Sequence, residues 1–213
     1  QLSSVGVYGP FPGELVDENY PYKPQGIYET TKTQADKLLL EAAKIGKINC
    51  IVLRPSIIYG AEMPNRSMYQ LIGMIDRGLF FFIGRSGAMA NYIHIDNVID
   101  ALNLCSQCVI ETNYQIYNLS DSQSFEDLVS VISEKLGRPR PTIRLPKLPL
   151  LILTEIINSV IKFPLTVNRI NSLSDRTVYD TNKLKKELCY KHKIPLKEGL
   201  IQMVDQYVKK YKK

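Results

Sequence analysis

The sequence predicts an α/β fold built on an open parallel sheet, and three observations carry that reading. Asn49 to Leu53 is a continuous apolar run, the pattern of a parallel strand buried on both faces. Before it, Thr30 to Lys44 repeats Ala35, Leu38, Leu39, Ala42 and Ala43 at helical spacing, and Gly46 follows the last turn. Tyr114 to Leu119 is another strand, reached after a helical stretch at 97–108.

Taken in order, Leu2 to Val7 reads as the end of a strand that delivers Ser4 to the carboxyl edge of the sheet, where ligands bind in open α/β folds. Residues 10–27 carry four prolines, which rule out a regular helix and suit a loop around the mouth of a site. Pro55 closes the strand that starts at Asn49. Arg66 to Gly78 is amphipathic, with Met68, Leu71, Ile72 and Ile75 on one stripe, and Phe80 to Ile83 is expected to pack in a core. Tyr92 to Ile95 is a short strand, with Asp96 the expected cap of the helix Asn97 to Cys108 and His94 expected in a structural role. Ser124 caps Phe125 to Leu136, which Gly137 ends, and Lys197 to Lys210 is a last amphipathic helix. Pro149 to Leu165 is apolar, but Glu155, Asn158 and Lys162 interrupt it. Its length falls short of the roughly 20 residues of a membrane span, so it is expected to be a helix of a smaller domain.

Chemistry concentrates near the start of the chain. Tyr28 and Lys32 are four residues apart, so on a helix they share a face with about 5 to 6 Å between Cβ atoms. A phenol near pKa 10 is protonated at neutral pH, and each unit of lowering takes about 1.4 kcal/mol of preference for the phenolate. An ammonium supplies part of that preference. A nearby hydroxyl, Ser4, can hold a substrate oxygen while the phenol exchanges its proton.

The run Ser3-Ser4-Val-Gly-Val-Tyr8-Gly9, then Tyr28-x-x-x-Lys32, then Leu53-Arg54-Pro55-Ser56-Ile57-Ile58-Tyr59-Gly60 together resemble the extended short-chain dehydrogenase/reductase family, which includes NAD-dependent epimerases and dehydratases of nucleotide sugars. The likeness continues through Gly84-Arg85-Ser-Gly, Asn91 to Val98 and Asp180 to Tyr190. It implies the second half of a Rossmann-type doubly wound parallel sheet plus a smaller α/β substrate-binding domain. Residues 1–60 are then the C-terminal half of the NAD(P)-binding domain with the catalytic residues. Residues 61–213 are mainly the substrate-binding domain, with 92–119 returning to the sheet. The resemblance makes Ser4, Tyr28 and Lys32 a catalytic triad. Tyr28, Lys32, Pro55, Ser56, Ile57 and Ile58 would lie at the cofactor, NAD being favoured over NADP, and Ser4, Tyr8 and Arg85 at the substrate. It also implies a homodimer when full length.

Two departures bear on the substrate. Nucleotide-sugar epimerases commonly carry an Asn where Ile57 stands and an Arg where Ala90 stands, both serving the diphosphate. Each lost contact forgoes about 1.5 to 3 kcal/mol, so Arg85, Arg66 or Arg169 must replace them or no diphosphate is bound. The same motifs are also similar to the sterol-dehydrogenase and flavonoid-reductase branches. A hydrophobic alcohol or ketone is therefore the alternative substrate, and a non-catalytic fragment or a redox-sensing binding subunit that keeps the fold is a third reading. No G-x-x-G-x-x-G turn is present to seat a pyrophosphate. The chain therefore reads as the C-terminal portion of a longer enzyme, expected to be inactive on its own.

Composition is ordinary for a soluble globular protein: 45% apolar and 23% charged residues in 213. The net charge of +6 owes much to the closing Lys209-Lys210-Tyr-Lys212-Lys213, read as a solvated helix end rather than a nucleic-acid site. Four cysteines, at 50, 105, 108 and 189, form no disulfide framework or paired metal spacing, and neither His94 nor His192 lies near the Cys105-x-x-Cys108 pair in sequence. Cys105 and Cys108 read as thiols packed from a helix, and reduced thiols favour the cytoplasm.

Overall fold

A computed structural model describes residues 1–10, 15–63, 66–108, 112–160 and 167–212, without the side chains of 66, 153, 155–160 and 168. The chain forms two compact units. The first holds Gln1–Tyr59, Asn91–Ser122 and Thr177–Leu196; the second holds Gly60–Ala90, Gln123–Arg176 and Lys197–Lys213. The segment 177–196, which the sequence reading leaves in the second region, belongs to the first unit.

In chain order a 3-10 turn (Val5–Tyr8) precedes β1 (Leu15–Val16), α1 (Ile27–Lys44), β2 (Cys50–Pro55), β3 (Ile57–Tyr59), α2 (Arg66–Asp76), β4 (Phe82–Ile83), β5 (Met89–His94) and α3 (Ile95–Gln107). There follow β6 (Tyr114–Leu119), β7 (Asp121–Ser124), α4 (Phe125–Leu136), β8 (Arg144–Leu145), α5 (Lys147–Val160), α6 (Val167–Ser172), β9 (Val178–Tyr179), α7 (Asn182–Glu187) and α8 (Leu196–Tyr211).

The frame of the first unit is parallel. β2 pairs with β6 from Cys50 against Tyr114 to Pro55 against Leu119. On the other side of β2, Leu2 bridges Leu53, with the Ser3 amide donating to the Leu53 carbonyl at 2.8 Å. The expected strand at Leu2 to Val7 is thus real only at its start. The Ser4 side chain accepts from the Gly6 amide and turns the backbone into the 3-10 helix. β3 pairs in parallel with β5, and β1 with β9. Leu53, Ile93, Val98, Ala101, Tyr117, Leu119, Leu184 and Tyr190 form the main core of this unit. Cys105 packs against that core half-buried; all four cysteines are free, and the described residues contain no cluster fit for a metal ion.

The second unit packs α2 on α4. Met68, Ile72 and Ile75 of α2 are buried, as are Phe125, Leu128, Val129 and Ile132 of α4. Phe80 stacks on Phe125 at 6.1 Å, so the Phe80–Ile83 stretch joins a core. Ser124 accepts from the Asp127 amide at 3.0 Å and Gly137 takes the left-handed conformation, the two ends expected for α4. Asp96 does not cap α3. His94 does, its Nδ1 accepting from the Asp96 amide at 3.2 Å. Lys212 is also less solvated than expected, donating to the Asp76 carboxylate at 2.7 Å. Of the apolar stretch 149–165, residues 161–165 lie outside the described residues and the rest belongs to α5. Among the described residues no helix is long and apolar enough to cross a membrane.

Candidate active site

Tyr28 lies in the first turn of α1 and Lys32 one turn on, which leaves the phenol 56% exposed and sets the ammonium 5.8 Å from the centre of its ring. Lys32 Nζ also donates to the Leu2 carbonyl at 2.9 Å, tying the helix to the strand end that leads into Ser4. Gly6 makes that approach possible. A Cβ there would stand 3.0 Å from Glu29 Cγ and 3.3 Å from Ser4 Oγ, so any side chain would require the Glu29 or Ser4 side chain to give way. Ser4 is half-buried, and its Oγ accepts from the Gly6 amide at 3.1 Å. The hydroxyl proton remains available to a substrate oxygen.

Beneath this face is a buried polar network that sequence reasoning missed. Arg54 is 1% exposed and pairs with Asp36, which is fully buried, at 3.1 Å. Ser3 Oγ donates to the same Asp36 oxygen at 2.9 Å. Arg54 Nη1 donates to the Tyr8 hydroxyl at 2.8 Å, and Arg54 Nη2 donates to Tyr22. Tyr8 passes its own proton to Asn118 Oδ1 at 2.8 Å. Burial pushes the Tyr8 phenol up to about 12 against the opposing pull of Arg54. Tyr28, Lys32 and Asp36 follow one another at four-residue spacing. That repeat, and an arginine closing an apolar strand, were the signals that could have revealed the pair.

The other expected residues divide. Tyr8 is fully buried with its hydroxyl engaged on both sides, and it holds the serine turn to the sheet. Pro55, Ser56, Ile57 and Ile58 lie at the carboxyl end of β2 and in β3. Ser56 Oγ is buried with no hydrogen-bond partner, an orphan of the kind a bound cofactor amide or hydroxyl can satisfy, while Ile57 is 50% exposed. With the exposed phenol and Lys32, these residues fit the nicotinamide end of a dinucleotide.

Arg85 belongs to the second unit, on a concavity of about 680 Å³ that Arg144, Lys147 and Arg176 also line. Arg169 of that unit bonds Gln70 instead, and the side chain of Arg66 lies outside the described residues. Ala90 is 2% exposed in β5.

The parallel α/β frame, with Ser4 entering a 3-10 turn off the sheet and Tyr28 and Lys32 on the helix beside it, is a Rossmann-type arrangement. Solved structures agree on the fold: the UDP-glucuronic acid 4-epimerase of Bacillus cereus, in complex with NAD, superposes with a TM-score of 0.72 at 19% identity, over 99% of this chain and 61% of that one. The chain belongs to the 3-beta hydroxysteroid dehydrogenase/isomerase family, whose model matches residues 2–147. The family is NAD(P)-dependent. Similar proteins include the 3beta-hydroxysteroid-dehydrogenase/decarboxylase isoform 1 of Arabidopsis thaliana, 27% identical over 90% of this chain and 48% of its own length. Another is the N-acetyl-alpha-D-glucosaminyl-diphospho-ditrans,octacis-undecaprenol 4-epimerase of Escherichia coli O157:H7, 27% identical over 68% of this chain and 44% of its own length. The chain spans about half the length of the curated relatives it matches.

Proposed function

We propose that this chain carries the proton-transfer machinery of an NAD(P)-dependent oxidoreductase or epimerase acting on a secondary alcohol. The carrying observation is the exposed Tyr28 phenol with the Lys32 ammonium 5.8 Å from its ring, on a helix that Lys32 ties to the Leu2 carbonyl two residues before Ser4. Ser4 Oγ holds the substrate oxygen, Tyr28 Oη takes the hydroxyl proton as the carbon is oxidised, and Lys32 Nζ favours the phenolate that results. The same phenol returns the proton when the carbonyl is reduced. The nicotinamide, when bound, accepts and returns the hydride. Ser56, Ile57 and Ile58 would border it, and Lys32 would also reach its ribose.

For the substrate, a nucleotide sugar is the leading reading, supported by the likeness to a UDP-glucose 4-epimerase of Vibrio cholerae and, for the diphosphate alone, to the Escherichia coli epimerase, whose sugar diphosphate is carried on undecaprenol. Arg85 is then the best-placed cation for the diphosphate. A sterol-like alcohol is the second reading. It is favoured by Ile57 and Ala90, which supply no amide or guanidinium for a diphosphate, and by the likeness to a 3beta-hydroxysteroid-dehydrogenase/decarboxylase.

The test is Tyr28→Phe in a preparation that turns over substrate. We expect kcat to fall at least about a hundredfold with cofactor affinity retained, since ring and fold survive but the proton carrier does not. Unchanged kcat would remove Tyr28 from the mechanism. In the same assay Arg85→Ala raises KM for a nucleotide sugar and leaves it unchanged for a hydrophobic alcohol; turnover of the alcohol alone would overturn the leading substrate.

A further inference from the structure

β4 and β8 run parallel, Phe82 beside Arg144 and Ile83 beside Leu145, and the Gly84 amide extends the pairing by donating to the Leu145 carbonyl at 2.8 Å. Arg85 and Lys147 each stand two residues past their strand, so this register brings two cations out at the carboxyl ends of one parallel pair. Ligands of open sheets bind at such ends. Gly84 keeps the two segments close: its φ is 70°, and a Cβ there would stand 3.7 Å from the Cβ atoms of Lys147 and Ser174.

Two more guanidiniums line the same concavity of about 680 Å³, a volume that suits a small-molecule ligand. Their places are fixed by acceptors. Arg176 donates to the Ser86 carbonyl, and Arg144 to the Gly84 carbonyl at 3.3 Å and the Glu126 carboxylate at 2.7 Å. Glu126 neutralises Arg144, whereas Arg85 and Lys147 have no carboxylate partner among the described residues, and none lines the concavity. Arg85, Lys147 and Arg176 therefore leave a surplus of positive charge. A lone carboxylate would leave most of it unmet. A diphosphate ester, ionised on both phosphates, meets it and offers separate oxygens to donors arriving from different segments. Leu145, Pro146 and Leu148 supply an apolar wall for the group the diphosphate carries.

We propose that this concavity is a diphosphate subsite of the second unit, in which Arg85 and Lys147 close on the phosphates, Arg176 adds a third charge and the apolar wall takes the adjoining nucleoside. The proposal rests on the nucleotide-sugar reading of the substrate. It supplies from Lys147 and Arg176, as well as Arg85, the donors that Ile57 and Ala90 do not provide.

Isothermal titration of the chain with UDP, UMP, uridine and inorganic pyrophosphate reads the site without turnover. We expect UDP to bind at least about tenfold more tightly than UMP, pyrophosphate to compete with UDP, and uridine to give no heat. Arg85→Gln and Lys147→Gln should each weaken UDP at least about tenfold with the circular dichroism spectrum unchanged, and Arg85→Lys should recover part of the loss. Lys186→Gln, exposed on α7 of the first unit, should bind UDP like the parent. UMP or uridine binding as well as UDP, pyrophosphate failing to compete, or an equal loss in Lys186→Gln would overturn the proposal. Tyr28→Phe should bind UDP like the parent, so a failure of the catalytic reading leaves this measurement intact. Turnover of a nucleotide sugar with a KM unchanged by Arg85→Gln and Lys147→Gln would keep the substrate reading and overturn the subsite.

Discussion

Arg54 is the bulkiest side chain buried almost completely, and its charge has to be met inside the protein. Asp36, Tyr8 and Tyr22 meet it, and Asp36 also holds Ser3, the neighbour of the candidate catalytic serine. Asp36→Asn would leave the guanidinium without its counter-charge, and breaking a buried pair from one side is costly. We expect that variant to lose about 3 kcal/mol in urea unfolding. A loss no larger than that of the exposed Glu41→Gln would show that the pair carries little. Arg54 was visible in the sequence as a charge closing an apolar run. Its partner was not, because Glu29, Asp36 and Glu41 all lie on one helix and only its rotation about the sheet decides which carboxylate turns inward. For the site itself the four-residue spacing sufficed to pair Tyr28 with Lys32. The closeness of Ser4 depends on Gly6 against Glu29, a contact between segments that no local pattern reports.

At the scale of elements, legibility follows how local the determining interactions are. Both ends of α4 could be read, since a Ser cap and a left-handed Gly act within four residues of themselves. Ser124→Ala should therefore cost about 1 kcal/mol in the unfolding free energy of the second unit, measured by chemical denaturation; no change would mean that water replaces the cap without loss. β1 and β9 are two residues each and pair across more than a hundred and sixty positions in sequence, about which neither segment carries a periodic signal. The cap of α3 went to His94 rather than Asp96 because the strand runs to His94 and the helix starts one residue later, leaving the imidazole where the first free amides point.

Across the whole molecule, each unit is assembled from three separated stretches, and 177–196 closes the first. The Ser120 amide bonds Thr181 Oγ1 at 3.0 Å, and the Leu196 amide bonds the Asp121 carboxylate at 2.6 Å. Asn97 of α3, fully buried, does most to hold the end of this stretch. Its Oδ1 accepts from the Lys193 and Ile194 amides at 2.9 and 3.0 Å, while its Nδ2 donates to the Ile194 carbonyl at 2.7 Å. One side chain thus satisfies three backbone groups of a loop, roughly 100 residues distant in sequence. Asn97→Ala would strand two amides and a carbonyl where water reaches them poorly, each unsatisfied group costing about 1 to 3 kcal/mol. We expect a total loss of about 3 kcal/mol, reduced by whatever solvent the relaxed loop admits. The loss should be local before it is global: proteolysis under native conditions should cut among the exposed lysines around Lys193 faster than in the parent, while α4 stays protected. Equal cleavage in the two proteins would show that β9, Thr181 and Leu196 hold the stretch without Asn97.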